Sequence, residues 1–546
     1  MKKLIPDGIS DFKTLIENNY YYIDKTPFIS EVGKNIGKTL LFTRPRRFGK
    51  TLNMSMLKYF FDIENSNENR KLFKDLKIEK FSYFDEQGKY PVIFISFKDL
   101  KEESFEKIIV ETKNLLRSLY NQFEFIRKNL NESEIIEFDD IWLKRNDENL
   151  KNSLLNLASF LKKYYDKKVV ILIDEYDTPL VSAYKYGYYD KAKNFFSSLY
   201  GSILKDNTAL QIGVLTGIVR VVRAGIFSDL NNLNEHNILD KEYDEYFGFS
   251  EEEIKNAIKY YEVDSQLEEV HSWYNGYKFG EAKVYNPWSI LKFLSKKEFK
   301  SYWIDTSENY LIKDILKVAD KETFEKLNKL LLGYEIKEEI TGKSTLQEVL
   351  ESRDIWELLL FSGYLTISDK IDKDSYNIKI PNNEVREFFK DSFIEITFGS
   401  NLTFKEMIKN LLDNKIDIFK KKLQDIMLKH LSFNDTSNLE KVYHTFILGL
   451  MIFLEGNYHI TSNQESGLGR YDISIEPLNR NKRGYILEFK IADSEKRLEE
   501  KAMEGLNQIE NKKYYLSFVK KEIKDITFIG MAFYKKFVKI KYKDYL

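Results

Sequence analysis

The sequence predicts a multidomain α/β protein: an α/β domain, then a mostly helical module with a winged-helix-like hairpin, then a second α/β domain. At about 150 residues per domain, 546 residues suffice for three or four domains. Short continuous apolar runs separated by amphipathic stretches are typical of buried parallel strands. Four such runs occur in the N-terminal half: Thr39–Thr43, Pro91–Phe97, Val169–Ile173 and Leu210–Thr216. We therefore place the domains at 1–245, 246–425 and 426–546.

The composition excludes several classes of site. Lys and Arg number 85 against 86 Asp and Glu, so the chain as a whole has no charge footprint for nucleic acid or membranes. The absence of cysteine excludes a disulfide framework, a thiolate zinc site and a cysteine nucleophile, and five histidines disfavour a histidine-rich metal site. The longest apolar run, 446–454, is too short for a membrane span of about 20 residues. With no apolar signal stretch behind the first lysines, we expect a soluble cytoplasmic protein.

A lysine motif follows the first predicted strand. Gly49, Lys50 and Thr51 come just after the strand and open an apolar helical face, an arrangement that aims backbone N–H groups at phosphate oxygens. Lys50 would reach the β- and γ-phosphates, and the Thr51 hydroxyl would hold Mg²⁺. The first glycine of the usual motif is Arg44 here, and an ordinary turn is the alternative. The same loop supplies two more candidate nucleotide-binding residues, Arg46 and Arg47.

Two acids close the third predicted strand. Val169–Ile173 runs into Asp174 and Glu175, and the carboxyl ends of parallel strands are where open α/β sheets bind ligands. One carboxylate would fix the Mg²⁺ shell and the second would orient the attacking water, and we assign Asp174 and Glu175 to these roles in that order. After the fourth strand, Thr216 and Arg220 are candidates for sensing the γ-phosphate and stabilising transition-state charge. A solvated loop arginine is the alternative at position 220.

The middle module is predicted to be mostly helical. Ser250 to Glu253 form a capping-box pattern that opens a helix through about Tyr261. An aromatic, turn-rich stretch between Trp273 and Trp288 contains the sequences WYNGYKFG and YNPW. Residues 355–388 predict helix, strand, turn, strand and helix, the order of a small helical module with a β-hairpin wing.

The last domain carries a second group of charged residues. Strand alternation puts Glu488 and Lys490 on one face, and a hairpin with the preceding strand would bring Asp472 to Glu488. Two such carboxylates suit a hard divalent cation, and Lys490 would position a water or stabilise developing phosphate charge. Gln508 lies beside the sheet-facing stripe of the next helix; the alternative is a solvent-facing Glu–Lys pair. The elements predicted here are strands at 471–476, 484–490, 514–519 and 526–533 and a helix at 495–511.

Two weaker signals lie in the same third of the chain. From Arg480 to Leu546 there are 17 Lys and Arg against 10 Asp and Glu, which suits a phosphate backbone and equally a solvated surface. Glu440 and His444 are four apart on one side of a helix, where they would add to the metal site or contact the substrate. A packed or capping histidine is the alternative at position 444.

Short stretches spread over nearly the whole chain form a specific combination: GISDFKTLIENNYYYIDKT, LLFTRPRRFGKTLNMSML, VVILIDEYDTPL, VLTGIVR, EYFGFSEEEI, WYNGYKFG, YNPWSIL, SGYLTI, ESGLGRYDI, ILEFK and LNQI. This combination resembles the bacterial predicted AAA-ATPase-like proteins, in which the ATPase is followed by a C-terminal PD-(D/E)XK nuclease-like domain. The resemblance implies a P-loop NTPase sheet with four residues in nucleotide roles: Lys50, Thr51, Asp174 and Glu175. It also implies a nuclease fold with a metal site and neighbouring motif residues: Asp472, Glu488, Lys490, Glu465 and Gln508.

The leading hypothesis from the sequence is an ATP-regulated, Mg²⁺-dependent nuclease that acts on phosphodiesters. Its cofactors would be ATP and Mg²⁺, or Mn²⁺ in place of Mg²⁺. Its partner would be nucleic acid, with DNA favoured over RNA. The alternatives are a non-catalytic nucleotide-dependent switch or scaffold, and an active ATPase with a decayed nuclease domain. No membrane partner is expected, and the formation of a homo-oligomer stays open.

Overall fold

The computed structural model describes residues 2–545 except 145–148, 219–230, 264–265, 305–320, 332, 343–354, 399–400, 431–442, 444–446, 448–453 and 455–456. The chain divides into two compact units, one of residues 1–309 with 337–385 and the other of 310–336 with 386–546. In the described part of the chain, no helix is both long and apolar enough to cross a lipid bilayer. Three candidates from the sequence, Arg220, Glu440 and His444, lie outside the described residues.

The α-helices of the described residues are, in chain order, α1 (Phe12–Glu17), α2 (Pro27–Gly33), α3 (Lys50–Phe61), α4 (Ser66–Lys71), α5 (Phe105–Gln122), α6 (Glu132–Trp142), α7 (Ser153–Tyr165), α8 (Thr178–Lys185), α9 (Tyr189–Leu204), α10 (Glu251–Tyr261), α11 (Leu267–Tyr274), α12 (Pro287–Lys296), α13 (Lys321–Leu331), α14 (Ile355–Phe361), α15 (Asn383–Phe398), α16 (Asn401–Leu412), α17 (Ile416–His430), α18 (Leu498–Asn511) and α19 (Leu516–Lys520). Short 3₁₀ helices occupy Lys77–Lys80, Ser82–Glu86, Glu124–Asn129, Leu150–Asn152 and Glu495–Arg497.

The strands are, in the same order, β1 (Thr39–Thr43), β2 (Val92–Ser96), β3 (Val169–Asp174), β4 (Leu210–Gly217), β5 (Leu233–His236), β6 (Phe249–Ser250), β7 (Tyr277–Phe279), β8 (Ala282–Tyr285), β9 (Ile336–Glu339), β10 (Thr366–Lys370), β11 (Ser375–Lys379), β12 (Tyr458–Ser462), β13 (Glu465–Ser466), β14 (Gly469–Arg470), β15 (Ile473–Pro477), β16 (Gly484–Ile491), β17 (Ile526–Tyr534) and β18 (Phe537–Tyr545).

A five-stranded parallel sheet forms the centre of the first unit. Its strand order is β2-β3-β4-β1-β5, so β4 lies between β1 and β3. Every residue of β1, β3 and β4 is buried, as in strands covered on both faces. The predicted runs end within one residue of β1 to β4, and the predicted parallel α/β sheet is confirmed. Strand β5 was not predicted, because its residues Leu233–His236 are mostly polar and half-buried.

Short antiparallel strands lie among helices in the later part of the first unit. Strands β6, β8 and β7 form one sheet, and β10, β11 and β9 form another. The β10–β11 hairpin lies in sequence between α14 and α15, as the helix–hairpin–helix pattern predicts. The predicted capping box is present at the start of α10: the Ser250 hydroxyl accepts a hydrogen bond from the Glu253 N–H, and the Glu253 carboxylate accepts one from the Ser250 N–H.

A mixed five-stranded sheet forms the centre of the second unit, in the order β12-β15-β16-β17-β18. Strands β16 and β17 are parallel, and the other neighbours are antiparallel. Helix α18 packs directly on this sheet at Gly530, where an added Cβ would lie 2.1 Å from the Ala502 carbonyl oxygen. The glycine therefore permits the close approach of helix and sheet, and the sheet agrees with the predicted second α/β domain.

One predicted strand of this domain is wrong. Residues 514–519 were expected to form a strand, but the chain turns there and forms the short helix α19. Tyr514 and Phe518 are both buried, whereas Leu516 between them is exposed. Burial at a spacing of four follows the helical period, so tertiary packing overrode the β-propensity of this aromatic segment.

Candidate nucleotide and metal sites

Three elements of the parallel sheet carry the predicted nucleotide residues to one edge. Phe42 of β1 pairs with Thr216 of β4, and Ile173 of β3 pairs with Leu215 of the same strand. The carboxyl ends of β1, β4 and β3 are therefore adjacent. The lysine-bearing loop leaves β1 at this edge, and Asp174 ends β3 there. The topology thus brings together residues that are more than 120 positions apart in sequence.

The loop after β1 turns into helix α3 at Gly49. This residue has φ +82°, in the left-handed region that favours glycine, and helix α3 begins at the next residue. The first N–H groups of a helix have no intrahelical partners and carry a partial positive charge. This turn therefore places at the sheet edge a helix N-terminus of the kind to which anions bind.

The side chain of Lys50 is buried and folded toward its own loop. Its ammonium donates hydrogen bonds to the Arg44 carbonyl oxygen at 2.9 Å and to the Pro45 carbonyl oxygen at 2.8 Å. Burial lowers the pKa of Lys50 to about 8, although the nearby charges of Glu175 and other acids act in the opposite direction. The ammonium is thus held by neutral carbonyls in a site where an anionic ligand would stabilise its charge.

Asp174 collects hydroxyl groups from three elements. Its Oδ2 accepts hydrogen bonds from Thr51 at 3.0 Å and from Ser96 at 3.2 Å, and its Oδ1 accepts one from Thr216 at 2.6 Å. Asp174 itself has no exposed surface. Because the Thr51 hydroxyl donates its hydrogen bond to Asp174, the lone pairs of its oxygen are available to a cation, so this donor set fits Mg²⁺. No sequence pattern pointed to Ser96, which ends β2 next to β3.

Glu175 follows Asp174 with a left-handed backbone, at φ +54°. Its carboxylate accepts a hydrogen bond from the Thr178 hydroxyl at 3.1 Å, and it remains partly exposed. A non-glycine residue at positive φ costs free energy that the surrounding structure must offset, and such residues cluster at functional sites. The two adjacent acids therefore differ sharply, since Asp174 is enclosed and Glu175 faces the site.

Arg44 occupies the place of the usual first glycine, and its guanidinium is fully buried. It donates to the carbonyl oxygens of Thr43 at 3.0 Å and His236 at 2.8 Å, and it lies over the Phe247 ring, 5.0 Å from its centroid. Burial lowers its pKa to about 10. The side chain thus joins the loop to β5 and the segment that follows, instead of entering the ligand site.

A cavity of about 450 Å³ opens at this loop. That volume lies in the range of small-molecule sites. Asp174 and Thr216 are buried and do not line this cavity. The predicted nucleotide residues that line it are Arg46, Arg47, Gly49, Lys50, Thr51 and Glu175.

The second unit brings Asp472 and Glu488 together as the sequence predicts. Strands β15 and β16 pair antiparallel with Ile473 opposite Leu487, so the next positions along the two strands are Asp472 and Glu488. The Asp472 carboxylate accepts a hydrogen bond from the Phe489 N–H at 2.6 Å. Its side chain is therefore fixed beside the backbone of the Glu488 strand.

Glu488 is an almost fully buried acid whose two oxygens differ. Oε1 accepts hydrogen bonds from the Lys490 ammonium at 3.0 Å and from the Gln508 amide. Oε2 is buried and has no hydrogen-bond partner among the residues that the structure describes. Burial, followed by the Asp472 charge, raises the pKa of Glu488 to about 7. A desolvated carboxylate oxygen beside a second carboxylate fits a divalent cation, which would supply the missing partner.

Tyr514 is a member of this group that the sequence analysis did not identify. The Gln508 amide nitrogen also donates to the Tyr514 hydroxyl at 3.0 Å, and this aromatic side chain is buried. Gln508 is thereby held between Tyr514 and Glu488. The only sequence signal was the position of Tyr514 just beyond the Gln508 helix, in a segment that was predicted to be a strand.

Glu465 stands apart from the buried pair. It lies on the two-stranded hairpin of β13 and β14, where it pairs with Arg470 at 3.9 Å and its side chain is 84% exposed. Among the described residues, no group of three or more His, Asp and Glu side chains gathers to hold a metal ion. The described candidate donors are therefore the two carboxylates of Asp472 and Glu488, and the role of Glu465 stays a prediction.

Comparison with known proteins agrees with this arrangement. Residues 6–227 match the family model described as predicted AAA-ATPase, and residues 438–543 match the PD-(D/E)XK nuclease superfamily. These two matches confirm the resemblance and its order along the chain. The chain is also 26% identical, over 410 residues, to an uncharacterized protein in the vnfD 5′ region of Azotobacter chroococcum mcd 1. That match covers 72% of this chain and 70% of the other protein.

Proposed function

From a chain that combines a predicted AAA-ATPase segment with a PD-(D/E)XK nuclease segment, we propose an ATP-regulated, metal-dependent nuclease. The observation that carries the nuclease proposal is the buried Glu488 oxygen beside Asp472, which has no hydrogen-bond partner in the part of the chain that the structure describes. The proposal assigns the ATPase to 1–245, a helical linking module to 246–425 and the nuclease to 426–546. Its proposed partner is nucleic acid, with DNA favoured over RNA, and its proposed location is the cytoplasm.

In the nucleotide site, the chain binds the triphosphate through its loop and orients water through an acid. The Lys50 ammonium exchanges its carbonyl partners for phosphate oxygens, a stronger charge-assisted interaction. The Thr51 hydroxyl, which donates a hydrogen bond to Asp174, would hold Mg²⁺ through its oxygen. Glu175 faces the cavity and accepts a hydrogen bond from the water that attacks the γ-phosphate.

In the nuclease site, a bound divalent cation supplies polarisation of the phosphodiester and a more acidic water. The carboxylates of Asp472 and Glu488 would hold that cation. The Lys490 ammonium, with a side chain 20% exposed, donates to the phosphate as negative charge develops. Gln508 keeps Glu488 in place through its amide, since its own position is fixed by Tyr514.

Cleavage assays on single- and double-stranded DNA and RNA, with Mg²⁺ or Mn²⁺ and with or without ATP, test this function. We expect wild type to cleave nucleic acid, Lys490→Ala to lose cleavage while it still binds nucleotide, and Lys50→Ala to lose thermal stabilisation by ATP. Lys496→Ala is the matched control, because this lysine is exposed and outside both sites. Wild type that cuts none of these substrates in any combination would instead support the non-catalytic scaffold.

A further inference from the structure

The β13–β14 hairpin is docked on the turn that follows helix α18. The Leu468 N–H donates a hydrogen bond to the Lys512 carbonyl oxygen at 2.7 Å, and the Ser466 hydroxyl donates one to the Tyr514 carbonyl oxygen at 2.7 Å. Between them Gly467 has φ +62°, and an added Cβ there would overlap the Lys512 carbonyl oxygen. The backbone of the hairpin tip therefore has a fixed position against the end of α18.

The same hairpin adjoins the candidate metal site through Tyr514. An added Cβ at Gly469 would lie 3.2 Å from the Tyr514 hydroxyl oxygen, so the hairpin backbone passes close to that hydroxyl. The hydroxyl accepts a hydrogen bond from the Gln508 amide, which also donates to Glu488. The hairpin tip is therefore separated from the buried acids only by Tyr514 and Gln508.

Leu468 at the hairpin tip extends into solvent. It is 68% exposed, the largest exposed fraction of any large apolar residue that the structure describes. Single exposed leucines are common on protein surfaces. This one differs because its backbone is anchored and because a cation, Arg470, lies two residues further along the hairpin with a side chain that is 62% exposed.

A groove of about 660 Å³ runs along the exposed face of α18 and ends at Lys512, the residue that Leu468 contacts. The lining positions extend from 500 to 512, which at about 1.5 Å per residue is about 18 Å, the length of about five base pairs. Its polar and apolar lining includes three amides, one thioether and one cation: Asn507, Gln508, Asn511, Met503 and Lys512. Because Gln508 bonds to Glu488, the groove is continuous with the candidate metal site.

Two acids also line this groove, and each has a basic partner. Glu500 pairs with Arg497 at 3.1 Å, and Glu504 pairs with Lys501 at 2.5 Å. Their charges are thereby offset by cations on the same helix. The hairpin end of the groove, with Lys512, is then suited to a polyanion.

We propose that Leu468 is a wedge that inserts between base pairs of double-stranded DNA from the minor groove, while the groove along α18 contacts the adjoining base edges. The inference rests on the proposed nuclease function and adds the class of substrate to it. Proteins that bind the minor groove contact its acceptors with amide and basic side chains and insert apolar side chains such as leucine between base steps. The amides beside an anchored apolar tip match that composition.

Insertion of the Leu468 side chain removes its apolar surface from water and unstacks one base step. Because alanine lacks most of that surface, Leu468→Ala should weaken the binding of duplex DNA about tenfold. Single-stranded DNA has no base pairs to open, so its binding should not change. Leu468→Phe presents a wedge of similar length and should retain the unstacking.

Fluorescence of 2-aminopurine, an adenine analogue that brightens when it is unstacked, tests the wedge in a short A·T-rich duplex. Each protein is the full chain with Lys490→Ala and Mg²⁺, so that the duplex stays intact during the titration. We expect this parent protein to bind the duplex with a rise in fluorescence. Adding Leu468→Ala should weaken binding about tenfold and abolish the rise. Leu478→Ala is the matched control, since this leucine is 63% exposed and lies outside the groove, and it should behave like the parent.

Four results would decide against the wedge. These are duplex binding by the parent without a fluorescence rise, a rise that survives Leu468→Ala, an equal weakening of single-stranded DNA, and a loss of the rise in Leu468→Phe. A changed oligomeric state of Leu468→Ala with unaltered duplex binding would also overturn it and would assign the tip to a second copy of the chain. Wild type that neither binds nor cleaves DNA would overturn the nuclease function itself, which is a different outcome from cleavage without a wedge.

Discussion

Replacing Glu488 by glutamine should stabilise the metal-free protein at alkaline pH while it removes the proposed nuclease activity. Glu488 is buried, and its pKa is raised from the ordinary 4.5 to about 7. Folding thus favours the protonated form. The contribution of protonated Glu488 to the free energy of unfolding is fully present below pH 4.5 and is lost as the pH rises through about 7. A shift of that size corresponds to about 3 kcal/mol, at 1.36 kcal/mol per pKa unit.

The measurement is urea unfolding of the full chain in EDTA at several pH values between 5 and 8. We expect the free energy of unfolding of Glu488→Gln, relative to wild type, to rise by about 2–3 kcal/mol over this range. Glu476→Gln on the neighbouring strand β15, where the acid pairs with Lys521, is the control and should show no such rise. At pH 8, Mg²⁺ should stabilise wild type more than Glu488→Gln. A relative stability that does not change with pH would refute the reasoning.

Three shorter predictions concern other residues. The affinity for ATP should fall as the pH rises through about 8, because burial lowers the pKa of Lys50 to about 8 and only the charged form of this lysine binds phosphate. Measuring the Kd for ATP between pH 6.5 and 9.5 checks this. A Kd that stays constant over this range would contradict it. Arg44→Met should cost about 2 kcal/mol in a denaturation experiment, because the carbonyl oxygen of His236 loses its donor, whereas partly exposed Arg46→Met should cost far less. Tyr514→Phe should slow the proposed cleavage about tenfold, with unchanged melting temperature, because Gln508 loses a partner that holds it against the proposed metal ligand Glu488; an unaltered rate would remove Tyr514 from the site.

The sequence predicted best those features that depend on local pattern. Continuous apolar runs located β1, β3 and β4 to within a residue, and the turn chemistry of Gly49 and the acids after β3 pointed to the sheet edge at which the candidate residues meet. Parallel strands end at the same edge, so once the sheet was inferred, the proximity of Lys50 to Asp174 followed from topology.

Features that arise from tertiary packing were not predictable in this way. Ser96 reaches Asp174 only because β2 and β3 are neighbours, and a serine at a strand end is too common to be a signal. The aromatic segment around Tyr514 has high β-propensity, yet burial at helical spacing decided its structure. Arg44 looked like a departure from a ligand-binding motif, whereas its side chain serves the packing of the loop.

The burial of Asp174 limits which side chains position 174 can accept. Both of its oxygens receive hydroxyl protons, so the position demands an acceptor on each side. Asparagine has the same shape but would point an amide N–H₂ at one of these hydroxyls, which would then have to rotate and donate its hydrogen bond to another acceptor. The change would therefore alter the orientation of the Thr51 or Thr216 hydroxyl without any change in side-chain volume. At position 174, a substitution of the same shape thus changes the hydrogen bonds among three strand ends.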